Sequence, residues 1–188
     1  MNFSDLLEKR RSIRDYQNRH VPMEMIQGII KETCLAPSSG NGQPWQFIIV
    51  NNREWLRKLS EESKKNFIAT IEKDPASPLK KYEANLRNKD FNVFYNAPCL
   101  VLIGGPKDLY SLLVDCSLAA SYFMFAAAAR GLGTCWINLG ADIRDPGIKE
   151  AIGMPVDFRI VAPMVLGYPQ SIPELPVREP KILKILEP

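Results

Sequence analysis

The sequence predicts a single α/β or α+β domain built on a sheet of about four strands. The length is the first reason, because 188 residues is near the usual size of one domain. The second is that short apolar runs alternate irregularly with segments of helical periodicity. The third is a globular composition, with 46 % hydrophobic and 24 % charged residues. We therefore expect residues 1–188 to share one core.

Capping signals and apolar spacing predict five helices. Asn2 or Ser4 can cap the first helix, and Asp145 the last. The second helix must end before Pro37, because the residue before a proline is pushed out of the α region. The predicted helices are a first one to about Arg11, a second from Pro22 to Ala36, a surface helix over 51–72, a long one over 107–130, and a short one from Pro146 to before Gly153.

Four apolar stretches predict the strands, at residues 46–50, 99–103, 134–137 and 158–166. The stretch over 99–103 is continuously apolar, so both its faces should be covered. The segment over 72–90 is charged and broken by prolines, which is compatible with either a mobile loop or a helical excursion. A proline-rich tail, extended from about residue 169, completes the chain.

Charge and cysteine content exclude several classes of protein. The net charge is only +3, and the longest basic run is Lys9-Arg10-Arg11, so nothing resembles a nucleic-acid-binding stripe. The four cysteines form no CxxC pair, which argues against a zinc ribbon or a thioredoxin-like site. We expect reduced thiols in a cytoplasmic protein, because no signal peptide is present and the apolar run over 116–129 is too short to span a bilayer.

The first cluster with chemical meaning is Arg10-Arg11-Ser12-Ile13-Arg14. Guanidinium groups donate forked hydrogen bonds to phosphate oxygens, and a serine hydroxyl adds a neutral donor. The alternative is that the basic residues only favour the negative end of their own helix. Taken by itself, the cluster leaves both interpretations open.

The second cluster is a polar loop between a helix and a strand. It contains Pro37, Ser38, Ser39, Asn41 and Gln43, and it is followed by Trp45. Small and amide-bearing residues expose many donors and acceptors, which suits a planar polar heterocycle. An ordinary turn would explain the composition but not why Gln43 and Trp45 flank a proline.

These motifs together resemble the FMN-dependent nitroreductase family, and the resemblance covers nearly the whole chain. Any one motif is weak, but four in this order and spacing make coincidence improbable. They are residues 10–14 (RRSIR), residues 36–47 (APSSxNxQPWxF), Asn96-Ala97-Pro98 before a strand, and residues 131–137 (GLGTCWI), followed by Leu166-Gly167-Tyr168-Pro169 and a tail with Arg178.

The resemblance implies an α+β fold with a central mixed or antiparallel sheet of about four to five strands flanked by helices. It also implies a homodimer with two FMN molecules at the subunit interface. The phosphate and ribityl end would be held by Arg10, Arg11, Ser12, Arg14 and Arg178 of one subunit. The ring would be reached by Pro37, Ser38, Ser39, Asn41 and Gln43 of the other. Ile137, Asn138 and Leu139 would lie against the ring, with a backbone N–H facing the flavin N5.

The expected function is an FMN-dependent oxidoreductase that takes a hydride from NADH or NADPH. It would reduce nitroaromatic, quinone or similar electron-poor acceptors by a ping-pong mechanism, with no catalytic side chain and no metal. Two alternatives remain open: a flavin-binding storage or regulatory protein with little turnover, and a specialised branch that dehalogenates substrates or fragments the flavin. Many relatives carry glycine where this chain has Asn138, which could alter the pocket floor.

Other chemistries fit less well. Gly131-x-Gly133 follows a helix, whereas a dinucleotide-binding fingerprint must follow a strand. A hydrolase would need a nucleophile and a base, and His20 is the single histidine. We expect His20 to be a solvated loop residue and Cys135 to be a small buried hydrophobe.

Overall fold

A computed structural model describes residues 2–187 and contains one sheet with helices against both faces. The helices are α1 (Phe3–Lys9), α2 (Met23–Thr33), α3 (Arg53–Lys73), α4 (Glu83–Arg87), α5 (Leu112–Ala129) and α6 (Pro146–Ala151). The strands are β1 (Gln46–Val50), β2 (Cys99–Pro106), β3 (Gly133–Trp136) and β4 (Phe158–Gly167). Three short 3₁₀ turns cover Ser39–Asn41, Pro78–Tyr82 and Asn138–Gly140.

The four strands lie in the order β1-β2-β4-β3, and every neighbouring pair is antiparallel. This confirms the predicted α+β class and the antiparallel alternative of the predicted sheet. The central strand β2 is buried from Cys99 to Gly105, as its continuous apolar run predicts. Successive β2 residues point to opposite faces, so Val101 and Ile103 belong to one core cluster while Leu100 and Leu102 belong to the other.

Helix α5 fills the core on one face of the sheet. Its buried residues include Cys116, Ala120 and Phe123, and it lies against α2 and β4. With 18 residues and a mean hydropathy of 1.7, α5 has the length and composition of a membrane-spanning helix, although a buried core helix meets the same criteria. Helix α5 is thus longer than the apolar run over residues 116–129, and its length does not exclude a membrane span as that shorter run predicts.

Two helical predictions need correction. The long helix begins at Leu112, five residues later than expected, because residues 107–111 form turns in which the Leu109 amide donates to Pro106 and the Leu112 amide to Leu109. Helix α3 is not simply a surface helix, since Glu62, Lys64 and other polar residues on it are buried. The segment over 72–90 adopts the helical alternative, as a 3₁₀ turn followed by α4.

The basic segment after α1 runs along the free edge of β3. The Ile13 amide donates to the Thr134 carbonyl at 2.9 Å, and Ser12 and Thr134 form a parallel bridge. The start of the tail lies beside it, because the Gln170 amide donates to the Asp15 carbonyl at 2.9 Å. Residues 171–187 form neither helix nor strand. The β3 edge therefore brings the two ends of the described chain together.

Candidate functional site

A cavity of about 420 Å³ lies beside β3 and the C-terminal half of α5. It brings together four of the five residues predicted to hold a phosphate, although they come from both ends of the chain. The lining residues are Arg10, Ser12, Arg14 and Arg178, together with Leu7, Ser121, Met124, Phe125, Cys135 and Trp136. The basic segment after α1 supplies Arg10, Ser12 and Arg14, and the tail supplies Arg178.

The cations of this cavity repel one another. Burial, and then the neighbouring guanidinium groups of Arg178 and Arg11, lower the pKa of Arg10 below its ordinary value. Within residues 2–187, none of Arg10, Arg11, Arg14 and Arg178 has a carboxylate oxygen within the 4.0 Å of an ion pair. Converging guanidinium groups without a counter-ion form a site for an anion, and a phosphate matches their forked donors.

Arg11 is placed differently from its four companions. Its Nη1 donates to the Arg10 carbonyl at 2.5 Å, and Arg11 lines another cavity of about 560 Å³, which Arg10 also lines, with Gly131 and Pro169. The structure therefore does not bring the Arg11 side chain into the cavity of Arg10, Arg14 and Arg178. Its charge still acts there, because it contributes to the lowered pKa of Arg10.

A second cavity, of about 400 Å³, shares Arg14 and Trp136 with the first. It contains the three predicted ring-contacting residues and is otherwise largely aromatic and aliphatic. Its lining consists of Arg14, Phe67, Leu79, Tyr82, Tyr95, Trp136, Ile137, Asn138 and Leu139. The indole Nε1 of Trp136 is buried and has no hydrogen-bond acceptor among the described residues. Apolar walls with a few unpaired donors are typical of a pocket for a planar ligand.

The turn at Asn138–Gly140 offers two further donors. The Ile137 amide donates to Pro163 at 2.8 Å, and the Gly140 amide donates to Ile137 at 2.8 Å. The amides of Asn138 and Leu139, by contrast, have no acceptor anywhere in the described chain. These are the backbone groups of this segment that remain available to a bound ligand.

The polar loop predicted to reach the ring lies at the other end of α5. The Ser39 amide donates to Oδ1 of the buried Asp115 at 2.9 Å, whereas Arg10 Nη1 is 3.8 Å from Met124 Sδ. Nine residues of helix separate these two contacts along α5, about 13 Å. The loop residues Pro37, Ser38, Ser39, Asn41 and Gln43 line neither of the two cavities. A single chain thus does not unite the two predicted clusters.

Left-handed backbone conformations occur in the polar loop and beside the second cavity. The non-glycine residues with positive φ in the described chain are Asn41, Gln43, Tyr95 and Asn96. The first two lie in the polar loop, and Tyr95 lines the second cavity. Such conformations cost energy and persist where the surroundings impose them, which is common at functional sites.

Several lining residues were not identifiable from the sequence. Phe67, Tyr82 and Tyr95 come from α3, from the uninterpreted charged segment and from a turn, so no periodic pattern links them. Cys135 is buried, as expected of a small hydrophobe, but it also lines the first cavity, and burial raises the pKa of its thiol. His20 is exposed and its Nε2 lies 2.9 Å from Asn51 Nδ2, away from both cavities.

The fold and these cavities define a class of protein: an antiparallel α+β protein in which three arginines converge at one sheet edge, beside an apolar pocket. Comparison with known proteins then gives the family. The sequence profile described as "Nitroreductase family" matches residues 7–168, so this chain belongs to the nitroreductase family.

Individual relatives agree with this membership. A protein of Archaeoglobus fulgidus named "Putative NADH dehydrogenase/NAD(P)H nitroreductase" is 32 % identical over 172 residues, covering 88 % of this chain and 84 % of that protein. Iodotyrosine deiodinase 1 of Mus musculus is 29 % identical over 92 % of this chain, which spans 65 % of the deiodinase. The structure of a nitroreductase with bound FMN from Bacteroides fragilis superimposes with a TM-score of 0.84 at 24 % identity over the full length of both chains.

Proposed function

We propose that this protein is an FMN-dependent NAD(P)H oxidoreductase that reduces nitroaromatic, quinone or similar electron-poor acceptors. The observation that carries the proposal is the first cavity, where Arg10, Arg14, Arg178 and Ser12 converge without a carboxylate partner within residues 2–187. Burial, and then repulsion from Arg178 and Arg11, lower the pKa of Arg10, and a phosphate there would offset that repulsion. The charged end of FMN is the anion that this family membership suggests.

The second cavity fits the ring of the same ligand. It shares Arg14 and Trp136 with the first, so one elongated molecule would extend from the cations to the aromatic walls. The unpaired indole N–H of Trp136 and the free amides of Asn138 and Leu139 would donate to polar ring edges. Bound FMN would supply the hydride chemistry, so the chain needs no acid, base or nucleophile of its own.

The protein's contribution is binding and electrostatics. Donors fixed beside the ring stabilise negative charge that develops during reduction, and they do so without reorganising. Phe67, Tyr82 and Leu79 line that space, and a flat molecule would stack against them. Nicotinamide and acceptor would use the same face in turn, which requires ping-pong kinetics. Parallel double-reciprocal lines would support this, and intersecting lines would contradict it.

A homodimer completes the proposed site. The polar loop and the arginine cavity lie about 13 Å apart along α5, so the loop of one chain would contribute to the cavity of its partner. Exposed apolar side chains on α5 and in the tail provide a surface for this association. They include Leu113, Val114, Leu118 and Tyr122 on α5 and Ile172, Leu175, Val177, Ile182 and Leu183 in the tail. We place the protein in the cytoplasm, where its four free cysteines stay reduced.

The absorbance spectrum of the purified, gel-filtered protein tests this function. Flavin bands that survive filtration, and that bleach anaerobically when NADH or NADPH is added, are the expected result. Bands that do not bleach with either nicotinamide would favour a storage or regulatory flavoprotein. A colourless protein that cannot be reconstituted with FMN would overturn the proposal.

Reductive dehalogenation is the second candidate, because the chain is 29 % identical to mouse iodotyrosine deiodinase 1. Both activities would use the same two cavities and differ in the acceptor. The anaerobically reduced enzyme should therefore be mixed separately with a nitroaromatic compound and with 3-iodotyrosine. Rapid reoxidation by the nitroaromatic compound supports the first candidate, whereas iodide release from iodotyrosine supports the second.

A further inference from the structure

Helix α3 presents an unusual buried polar face to the segment that carries the ring-contacting turn. Glu62, Ser63 and Asn66 are each at most 6 % exposed, although α3 is otherwise rich in solvated charges. Residues at positions i, i+1 and i+4 of a helix share one side of it. Each of these three side chains forms a hydrogen bond with the loop over residues 139–145.

The contacts occur at four points along that loop. The Ser63 hydroxyl donates to the Leu139 carbonyl, and Asn66 Nδ2 donates to the Asp142 carbonyl at 2.9 Å. The Glu62 carboxylate accepts from the amides of Arg144 and Asp145 at 3.2 and 3.0 Å. Asn66 Nδ2 also donates to Glu62 Oε1 at 2.7 Å, so the side chains support one another. We call Glu62, Ser63 and Asn66 the α3 clamp.

The loop has little internal structure to fix its own geometry. Its start is a 3₁₀ turn of three residues, and such short turns have poor hydrogen-bond geometry. That turn nevertheless carries the free amides of Asn138 and Leu139, whose value as donors depends on orientation. The turn also lies close to an aromatic ring, because a Cβ added to Gly140 would come 2.4 Å from the Phe94 ring. The α3 clamp and the Phe94 ring therefore both contact the turn.

We propose that Glu62, Ser63 and Asn66 are positioning residues that orient the Asn138–Leu139 amides toward a ligand ring in the second cavity. Ser63 is the critical member, because its hydroxyl holds the carbonyl of Leu139, a residue of the turn itself. This inference rests on the proposed function, since the ring is taken to be that of FMN. It extends that function by assigning a role to three residues that line neither of the two cavities.

A matched pair of variants tests the assignment. Ser63→Ala removes the bond to Leu139, whereas Ser60→Ala removes a comparable bond from the Val93 amide to the Ser60 hydroxyl at 3.1 Å. Both serines are on α3 and are fully buried, so the two substitutions should lower the free energy of unfolding to a similar extent. Asn66→Ala serves as a second clamp variant.

Two measurements separate positioning from mere stability. The first is amide hydrogen exchange of Gly140 and Ala141 in protein freed of FMN, which we expect to be at least tenfold faster in Ser63→Ala and Asn66→Ala than in Ser60→Ala. The second is the ratio of the FMN dissociation constants for the reduced and oxidised states. That ratio should rise at least threefold in the clamp variants alone, because misaligned donors weaken binding of the more negative reduced flavin most.

The outcomes distinguish this inference from the proposed function. If the protein binds FMN but Ser63→Ala and Ser60→Ala give equal ratios, the positioning role is wrong while the oxidoreductase remains. If the protein binds no FMN, the proposed function fails, and the exchange of Gly140 then decides whether Ser63 orients the turn. Unchanged exchange at Gly140 and Ala141 would overturn the inference under either condition.

Discussion

The side chain of Ile13 lies directly against Gly133, so closely that a Cβ on residue 133 would come 2.4 Å from Ile13 Cγ1 and 2.8 Å from its Cβ. Real Cβ atoms do not approach that closely, so any larger residue must displace Ile13. Because Ile13 lies between Ser12 and Arg14, the glycine limits where the proposed phosphate-binding segment can lie. The need for a glycine at position 133 of β3 is thus linked to the geometry of the first cavity.

Gly133→Ala should therefore destabilise the fold and weaken ligand binding together. Overpacking of this kind costs about 1–3 kcal/mol, and moving Ser12 and Arg14 should lower FMN affinity as well. Urea unfolding and FMN titration measure the two effects. Gly28→Ala is the control, because its Cβ would meet its nearest neighbour at an ordinary 3.5 Å. Unchanged FMN affinity in Gly133→Ala would separate the glycine from the site.

Arg14→Ala should weaken FMN binding by about 1.5–3 kcal/mol, the range of a charged hydrogen bond. Arg14 lines both cavities, so its loss affects the anion site and the pocket beside it. Fluorescence titration of the apoprotein with FMN gives the dissociation constant. Arg53→Ala, which removes an exposed arginine at the start of α3, is the matched control. Equal affinities for the two variants would contradict the phosphate assignment.

Asp115→Ala should loosen the polar loop, because the Ser39 amide loses its acceptor. Ser39 is exposed and water can partly replace the lost acceptor, so the loss should cost about 1 kcal/mol, whereas Asp115→Asn keeps an acceptor oxygen and should cost less. Hydrogen exchange at Ser39 and the urea midpoint report the loop and the whole fold separately. Similar exchange at Ser39 in both variants would show that Asp115 does not hold the loop.

Stability should fall in acid partly through Glu62. Burial acts to raise its pKa, but hydrogen bonds from Asn66 and from the Asp145 and Arg144 amides outweigh burial and leave the pKa below its ordinary value. A carboxyl group with a lowered folded-state pKa contributes stability above its unfolded pKa and loses it as the pH falls through the folded value. The loss should therefore begin below about pH 5 and grow toward pH 3.

Glu62→Gln checks this expectation. The neutral amide cannot titrate, so the variant should be less stable near pH 7 but show a shallower decline in acid. Urea midpoints measured from pH 7 down to pH 3 give both slopes. Parallel slopes for the two proteins would assign the acid sensitivity to other carboxyl groups.

The sequence predicted structure best where a residue pattern is typical of a single kind of element, as an apolar run is of a buried strand and an aspartate before a proline is of a helix start. Apolar runs predicted all four strands, and Asp145 caps α6 through a bond from the Ile148 amide at 2.9 Å. The start of α5 was wrong because residues 107–111 have acceptable helix propensity, and only the turn bonds after Pro106 reveal the difference. The polar face of α3 was missed since Glu62, Ser63 and Asn66 look in sequence like an exposed face.

In the candidate site, likewise, residues adjacent in sequence were predictable and residues brought together by the fold were not. The cluster over residues 10–14 was recognisable because arginines and a serine are contiguous, and four of the five predicted anion ligands meet in one cavity. Arg11 does not line that cavity, because its guanidinium donates to the Arg10 carbonyl, a contact that the sequence does not reveal. Tyr82 and Phe67 come from elements far apart in sequence, so only the tertiary structure brings them to the same wall.

The position of Asp115 and its loop, about 13 Å along α5 from the arginine cavity, has a consequence for genetics. If each site is divided between two chains as proposed, defects in the two halves should complement each other even though both alter the same gene product. A chain with Arg14→Ala and a chain with Asn41→Ala would each be defective by themselves. A mixed dimer of the two would regain one intact site, with about half the activity per dimer of the unaltered protein.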